Sequence, residues 1–417
     1  MPALNKNKII NDPVYGFISI KSSTIFDLIE HPFMQRMRHI RQLGLAELVY
    51  PGAIHTRFHH ALGATHLMGQ ALGVLRSKGV DISNEEIEAA QIAILLHDTG
   101  HGPFSHSLEE CLIGNIQHES LSFLFMKELD RQFGGGLAMA MKIFQNTYPK
   151  KFLHQLVSSQ LDIDRLDYLN RDSFFTGVKE GAVGTDRIIA MLNVVNGQLV
   201  VEEKGIYNIE NFLNARRLMY WQVYLHKTSV SSERLLVNII KRAKYLASSG
   251  EALPASESLT LFLYNKYTLD DFAEKKSLLK AFGSMDDYDV WGAIKQWQSH
   301  KDDVLSQLCT MLLERKLFQI KLSIAPIQKS EIETIKDAIG KQFQLMKSDA
   351  TYLFSHGTVS NEAYLSERNS IQILMKSGEL LDVAQASDLP NIKAMSKIVK
   401  KNYLCWPKNL SLGAVNG

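Results

Sequence analysis

Apolar residues recur at helical spacing through most of the first half of the chain, with polar residues between them. This pattern predicts amphipathic helices packed around a common core. Asn84 stands at a position typical of a helix N-cap, and Gly79 stands where the preceding helix should end. The segments predicted as helices are residues 33–43, 59–76, 84–96, 117–133, 151–159 and 208–246.

Shorter alternating runs predict a few strands. Asn196 and Gly197 lie between two apolar runs, and Ser377 and Gly378 lie between two alternating runs, which is typical of β-hairpins. Residues 316–324 also alternate as a strand does. Residues 248–257 are rich in Ser and contain Gly and Pro, as linkers often do. We therefore predict a mainly α fold with a smaller α+β C-terminal region that contains short hairpins. The predicted domains are residues 1–247 and 248–417.

Composition argues against several classes of protein. The formal net charge of +2 on 417 residues gives no overall field that would favour nucleic acid or an acidic membrane. Cys111, Cys309 and Cys405 form no C-x-x-C pair, which argues against a disulfide framework or a thiolate metal site. The N-terminus is polar, and no apolar run is long enough to cross a bilayer. We expect a cytoplasmic protein with no membrane contact.

Histidine is concentrated in one part of the chain. Eight of the 14 histidines lie between His55 and His118, in segments that include HTRFHHALGATH and LLHDTGHGPFSH. The second motif places His97 and Asp98 at the end of an apolar helix, before a glycine-rich turn. Such a turn exposes polar side chains to a cavity while the body of the helix stays buried.

A further histidine, His60, lies upstream on its own predicted helix, and the acidic run LDIDRLDYLNRD lies downstream. The order His, His-Asp, Asp suits a divalent ion with open positions for water and a phosphate oxygen. The alternative is a set of buried, hydrogen-bonded polar residues with no ion.

Together these motifs resemble the HD-domain family, named after its His-Asp doublet. Within it the chain looks like the deoxynucleoside triphosphate triphosphohydrolases, which include the sterile-alpha-motif/HD enzymes and their bacterial relatives. The resemblance covers about residues 8–245 and also includes INDPVYGFI, HPFMQRMRHIRQLG and QHES. It implies an HD-type helical catalytic core, a divalent metal cofactor (Mn, Mg, Fe or Zn) and a homodimer or homotetramer.

The resemblance also implies a role for each matching position. The metal ligands would be His60, His97, Asp98 and Asp164. His118 would be the general acid for the leaving 5′-oxygen, with Glu109 as its orienter and His101 near the α-phosphate. Glu109 replaces an Asp of the close relatives and is one methylene longer. Two other interpretations of His101 and His118 stay open, as core histidines or as ligands of a second metal.

Substrate contacts follow from the same resemblance. Gln42 and Leu43 would lie near the base and sugar, and Asp172 would contact the 3′-hydroxyl. Arg57 would contact phosphate, and Arg165 and Tyr168 would lie at phosphate and sugar. The residues along the phosphate and sugar wall would be Arg216, Tyr220 and Tyr224. Arg165 stands where the animal enzymes have Lys, and both residue types bind phosphate. Arg57 also fits a structural ion pair. The i, i+4, i+8 spacing of Arg216, Tyr220 and Tyr224 also fits a core stripe.

Glu30, Gln35 and Arg38 match a regulatory nucleotide site of the family, although Glu30 replaces an Asp of the animal enzymes. An ordinary charged helix face would look the same.

The function implied is metal-dependent hydrolysis of deoxynucleoside triphosphates to deoxynucleoside and inorganic triphosphate. The same nucleotides would be candidate activators. One alternative is a phosphohydrolase that acts on another nucleotide or phosphoester. The other is a catalytically weak regulatory protein that binds nucleotides or single-stranded nucleic acid, and the near-neutral charge counts against nucleic acid as the main partner.

Overall fold

A computed structural model of the chain describes most of its residues. The described stretches are residues 8–114, 116–361, 370–389 and 398–411.

Helices dominate the first 250 residues. They are α1 (Ser23–Glu30), α2 (Pro32–Gln35), α3 (Arg57–Ser77), α4 (Asn84–Leu96), α5 (Ser105–Ile113), α6 (His118–Gln132), α7 (Ala138–Phe144), α8 (Lys151–Val157), α9 (Ile163–Thr176), α10 (Thr185–Met191), α11 (Ile206–Met219) and α12 (Lys227–Ser248).

Shorter helices alternate with strands in the rest of the chain. The helices are α13 (Glu257–Tyr264), α14 (Leu269–Glu274), α15 (Lys276–Phe282), α16 (Asp287–Trp297), α17 (Asp303–Leu313), α18 (Lys329–Gln342), α19 (Lys347–Ala350) and α20 (Val383–Ala386). No helix in the described part of the chain is long and apolar enough to span a bilayer.

The strands of the described residues form three small sheets. They are β1 (Lys8–Asp12), β2 (Gly16–Ile20), β3 (Leu192–Val195), β4 (Gln198–Glu202), β5 (Phe318–Ser323), β6 (Ser355–Ser360), β7 (Gln372–Leu374), β8 (Leu380–Asp382) and β9 (Lys400–Pro407). β1 and β2 form an antiparallel hairpin, β3-β4-β7-β8 form a mixed sheet in which β4 and β7 run parallel, and β5-β9-β6 form an antiparallel sheet.

Two hydrophobic cores organise the helices. The first is built around α3, α4 and α9, and the second surrounds α12 and the helices that follow it. Leu45 and Phe104 pack in the second core, whereas Ile371 and Ile373 pack in the first. The packing therefore crosses position 247, and the division at 247/248 stays a prediction.

Local signals place several elements correctly. The predicted helix 84–96 is α4, although its N-cap is Ser83, which shares a capping box with Glu86. Asn196 and Gly197 both have positive φ in the turn between β3 and β4, which confirms the first hairpin. The second hairpin is confirmed as β7 and β8, with Gly378 at a φ of 87°.

Two predicted helices are broken. The segment 33–43 is helical only to Gln35, continues as a 3₁₀ turn, and becomes extended at Arg41, which pairs with Thr56. The long helix 208–246 is interrupted by a π-helical segment, Tyr220–Tyr224, and by His226, whose side chain caps α12 by accepting from Thr228 N. Mid-helix π segments are frequent at functional sites. The hairpin of β1 and β2 was not predicted.

Candidate metal centre and active site

Three helices bring a group of imidazoles and carboxylates together. His60 lies on α3, His97 caps the end of α4, and Asp164 lies in the first turn of α9. The Nε2 atoms of His60 and His97 lie 3.1 and 3.5 Å from Oδ1 of Asp164. Asp98 lies beside them, with Oδ1 3.3 Å from His97 Nε2 and Oδ2 3.9 Å from His60 Nε2. Ligand atoms of His60, His97 and Asp164 thus face one point, within 4.8 Å of one another, and Asp98 lies beside them.

Each of the two histidines uses Nδ1 for a hydrogen bond, which leaves Nε2 facing the carboxylate of Asp164. His60 Nδ1 lies 2.7 Å from Oδ2 of Asp167, and His97 Nδ1 lies 2.6 Å from the carbonyl oxygen of Ile94. The two Nε2 atoms are buried, and despite the nearby carboxylates they lack the geometry of a hydrogen bond. Imidazoles that bind metal are oriented in this way, by a partner on the other nitrogen. The residues present fit a divalent ion.

The electrostatics of the pocket favour positive charge. Burial alone would lower the pKa of His60, but Asp164 and Asp167 raise it to about 10. Burial would raise the pKa of Asp98, but neighbours that include His97 hold it well below its usual range. The carboxyl groups therefore stay ionised. A divalent ion would compete with protons for the imidazole nitrogens.

A second ring of charges supports His60, and the sequence analysis missed it. Asp167 also binds the guanidinium of Arg171 at 3.0 Å, and Arg171 binds Asp12 of β1 at 2.8 Å. Asp167 and Arg171 are fully buried. Gly63 permits this approach of α3 to α9, because a Cβ there would lie 2.0 Å from Asp167 Oδ1. Asp167 lies three positions after Asp164, on the same helix face, and that spacing was the signal available in the sequence.

A second cluster adjoins the first. Ligand atoms of Asp98, His101 and His118 lie within 4.8 Å of one another. The rings of His101 and His118 stack, with centroids 3.8 Å apart. Glu109 accepts a hydrogen bond from the backbone N–H of His118 at 2.8 Å, and its Oε1 lies 3.4 Å from His118 Nδ1. The longer Glu side chain thus reaches the histidine that it was expected to orient.

A pocket lies beside this cluster, and its volume of about 260 Å³ includes space that is open to solvent. His101, Glu109 and His118 contribute its polar lining, while its apolar lining includes Leu112 and Phe282. Burial, with Arg57 nearby, holds the pKa of His101 well below its usual value, so this imidazole is neutral at pH 7. His118 is the more accessible of the two rings, with 19% of its side chain exposed against 3% for His101.

Arg57 lies between the two clusters. Its Nη1 donates to Asp98 Oδ2 at 2.5 Å, and its Nε donates to Ser105 Oγ at 2.8 Å. The guanidinium is 3% exposed. The ion pair that the sequence allowed for Arg57 is therefore present. A contact of Arg57 with phosphate stays a prediction.

Three of the predicted substrate residues form a row of aromatic rings that begins beside His60. The ring of Tyr168 lies 6.4 Å from that of His60 and 6.3 Å from that of Tyr224. Tyr220 and Tyr224 lie 5.2 Å apart in the π-helical segment. Burial and Asp172 raise the pKa of Tyr224 well above its usual value.

The other predicted substrate residues have partners of several kinds. Asp172 is buried, and its two oxygens lie 2.7 Å from His55 Nε2 and from the Tyr224 hydroxyl. Arg216 donates to Gln160 at 3.0 Å. Arg165 donates to Asp162, and Leu43 packs against the first core. Gln42 has a buried Oε1 with no hydrogen-bond partner among the described residues.

The three residues of the expected regulatory site lie near the start of the chain. Arg38 donates to Gln35 at 2.8 Å and stacks over the ring of Phe58 at 3.7 Å. Gln35 donates to the carbonyl of Ile29 at 2.7 Å, and Glu30 is exposed at the end of α1. The structure thus pairs Gln35 with Arg38, and a regulatory role stays a prediction.

Comparison with known proteins matches two regions of the chain, and His60, His97, Asp98 and Asp164 lie in the first. The HD domain profile matches residues 57–170, and the profile of the HD associated region matches residues 183–253. A solved phosphohydrolase of Bacteroides thetaiotaomicron is 49% identical and has a TM-score of 0.93, covering 97% of this chain and 100% of its own.

Two curated relatives extend this comparison. The protein YwfO of Bacillus subtilis is 29% identical over 420 residues, which is 98% of this chain and 94% of YwfO. The deoxynucleoside triphosphate triphosphohydrolase SAMHD1 homolog of Dictyostelium discoideum is 29% identical over 275 residues. That match covers 61% of this chain and 53% of the relative, so this chain spans about half of that protein.

Proposed function

This chain belongs to the HD-domain phosphohydrolases, and from that premise we propose that it hydrolyses deoxynucleoside triphosphates to deoxynucleoside and inorganic triphosphate. One observation carries the proposal. The buried Nε2 atoms of His60 and His97, which have no hydrogen-bond partner among the described residues, face the carboxylates of Asp98 and Asp164. The pair of His118 and Glu109 lies directly beside Asp98.

The proposed metal ligands are His60, His97, Asp98 and Asp164. A divalent ion bound there would polarise a phosphate oxygen and lower the pKa of a bound water. The identity of the ion is open among Mn, Mg, Fe and Zn, because imidazole and carboxylate together suit all four.

The chain's own residues would bind and orient the triphosphate. Arg57 and Arg165 supply positive charge close to the centre, each already paired with an Asp. A phosphate group would share these guanidiniums, which have donors enough for two acceptors. Preorganised charge of this kind accounts for much of the rate enhancement in phosphoryl transfer.

His118 would donate a proton to the departing 5′-oxygen. Glu109 lies on the Nδ1 side of the ring, so the proton would leave from Nε2. His101 stacks on this ring and, being neutral, would donate a hydrogen bond rather than a charge near the α-phosphate. The alternative, in which His101 and His118 bind a second metal, is supported by their distance to Asp98.

The nucleoside would lie along Tyr168, Tyr220 and Tyr224. The buried Oε1 of Gln42 has no hydrogen-bond partner among the described residues, so it could accept a hydrogen bond from the base or sugar. Asp172 would contact the 3′-hydroxyl by exchanging one of its two present partners. Because both oxygens of Asp172 already have partners, its contact with a 3′-hydroxyl requires one of them to be replaced. A phosphoester without that hydroxyl contact is therefore kept as the second candidate substrate.

Product analysis tests the proposal. Purified protein is incubated with Mn²⁺ or Mg²⁺ and each deoxynucleoside triphosphate, ribonucleoside triphosphate, monophosphate or cyclic nucleotide. Release of inorganic triphosphate together with deoxynucleoside is the expected result. Release of orthophosphate only, or turnover confined to monophosphates or cyclic nucleotides, would replace the proposed substrate. No turnover, with salt-dependent binding of single-stranded DNA or RNA, would support the regulatory alternative.

Mixed substrates extend the experiment to regulation and assembly. If Glu30, Gln35 and Arg38 bind an activating nucleotide, a second deoxynucleoside triphosphate should raise turnover of the first. Light scattering in the same solutions would show whether activation accompanies a dimer or tetramer. Additive rates at every ratio of two nucleotides would remove the regulatory site from the proposal.

A further inference from the structure

The turn that follows α4 is held from outside by a segment almost 200 residues away. We call residues 98–105 the His-Asp turn and residues 282–291 the outer segment. Phe282 lies against the turn, because a Cβ on Gly102 would be 3.2 Å from its ring. The ring of Trp291 makes an edge contact with Phe104 at 5.7 Å.

Arg36 joins the two segments through their carbonyl groups. Its Nη2 donates to the carbonyls of Thr99 and His101 at 2.7 and 2.9 Å. Its Nη1 donates to the carbonyls of Met285 and Phe282 at 2.9 and 3.4 Å. The side chain is 5% exposed, so these bonds are made away from water. Arg36 is thus a buried residue that bonds to two other segments, and not a residue on the exposed face of a helix. This placement accounts for the early end of the predicted helix 33–43.

Asp287 makes a second connection through backbone N–H groups. Its Oδ1 accepts from Phe104 N at 2.7 Å, and its Oδ2 accepts from Arg41 N at 2.8 Å. Arg41 immediately precedes Gln42, a proposed substrate contact. One carboxylate, 3% exposed, thus ties the His-Asp turn to the segment proposed to contact the nucleoside.

The backbone that Asp287 holds is unusual. Phe104 and Ser105 have φ values of 50° and 38°, in the left-handed region that side chains other than glycine rarely adopt. Residues in such conformations persist only where the surrounding structure holds them. The conformation places Ser105 Oγ 2.8 Å from Arg57 Nε, and Arg57 in turn reaches Asp98. The strained turn is therefore linked to the proposed metal centre.

We propose that Asp287 is a positioning residue for the reaction, which holds the His-Asp turn and the Gln42 segment in register from the C-terminal part of the chain. Burial removes water from its carboxylate and raises the pKa of Asp287 to about 7, although the N–H groups of Arg41 and Phe104 oppose the shift. A buried carboxylate at a cost in solvation is expected where it organises a site rather than where it only fills a core. The effect on turnover rests on the proposed function.

Two variants and a matched control test this role. Asp287→Ala removes both acceptor oxygens, and Asp287→Asn keeps the shape and one acceptor. Asp289→Ala, in the same first turn of α16, removes only the carboxylate that caps Asp286 N at 2.8 Å. Hydrogen exchange at Arg41 and Phe104, metal content, kcat and KM are measured for the full chain.

In Asp287→Ala we expect faster exchange at both amides and a fall in kcat of about 10- to 100-fold, since a misplacement of about 1 Å can have an effect of this size. KM should change less than kcat, and metal content should stay at the wild-type value. The amide exchange rates and kcat of Asp287→Asn should lie between those of wild type and Asp287→Ala. If Asp287→Ala does not fold, Asp287→Asn alone tests whether Asp287 holds the turn. Asp289→Ala should match wild type in exchange and turnover.

Unchanged exchange at Phe104, or equal kcat in the Asp287 and Asp289 variants, would overturn the proposal. Hydrogen exchange separates this result from the fate of the proposed function. If the wild type hydrolyses no nucleotide, the proposed function fails, and the exchange of the two amides still decides whether Asp287 holds the turn.

Discussion

The two sides of the candidate site are built in different ways. On one side, His60 and Asp164 project from helices, and the fully buried Asp167 and Arg171 form a charge network that supports His60. On the other side, His101 follows α4 in a turn with left-handed residues, and Arg36 and Asp287 hold that turn from outside. The side with His60 and Asp164, the metal side, therefore depends on helix packing. The side with His101, the turn side, depends on contacts between residues that are distant in the sequence.

The largest effect should come from breaking the metal side directly. Asp164→Ala removes the carboxylate that both Nε2 atoms face, so we expect loss of bound metal and of detectable turnover. Elemental analysis and product assays measure the two quantities. Asp186→Ala, which changes an exposed acid on α10, is the control and should retain both. Full metal content in Asp164→Ala would contradict the proposed ligand set.

The next largest effect should come from the turn side. His118→Ala removes the proposed proton donor, and a general acid of this kind contributes roughly 10²–10⁴-fold to the rate. We expect a fall in kcat of that size with one metal ion per chain retained. A fall from two ions to one would instead show that His101 and His118 bind a second metal. Unchanged kcat with metal retained would reject both roles.

A smaller effect should follow from loosening the support of His60. Asp167→Asn keeps the volume of the side chain but removes a charge that faces both His60 and Arg171. Loss of such a supporting carboxylate commonly weakens metal affinity about 10- to 100-fold. Titration of the apoprotein with metal measures the change, and turnover at saturating metal should largely recover. Unaltered metal affinity would show that the network only stabilises the fold.

The smallest effect concerns stability and pH on the turn side. Burial raises the pKa of Asp287 to about 7 in the folded protein. Between about pH 4 and pH 7 the folded protein therefore keeps a proton on this carboxyl group, which the unfolded chain has released. The stabilisation is complete below about pH 4 and is lost as pH rises through about 7. Asp286, Arg41 and Arg36 are the charged residues that interact with the Asp287 carboxylate, and all three are present in both proteins compared.

Urea unfolding at several pH values measures this contribution. Between pH 5 and pH 8 the wild type should lose up to a few kcal/mol more stability than Asp287→Asn, since each pKa unit corresponds to about 1.4 kcal/mol. Parallel pH dependence in the two proteins would show that Asp287 does not titrate in this range.

Much of the metal side could be predicted from the sequence because its signals are local. His97 and Asp98 are neighbours at the end of an apolar helix, and the helix boundary follows from its capping box and glycine-rich turn. Asp167 could have been added from its spacing to Asp164, but Asp12, which pairs with Arg171, could not. That pairing joins β1 to α9 across 159 positions through Arg171, and nothing in either segment specifies the other.

Residue order alone determined which side chains are available for chemistry, since helix ends, hairpin turns and the His-Asp doublet are set by neighbours a few positions apart. Tertiary structure alone decided which of them share a pocket and how the turn between them is held. Asp287 lies 183 positions from Phe104 and 246 from Arg41. Such contacts arise from the packing of two cores, and local backbone preferences contain no information about them.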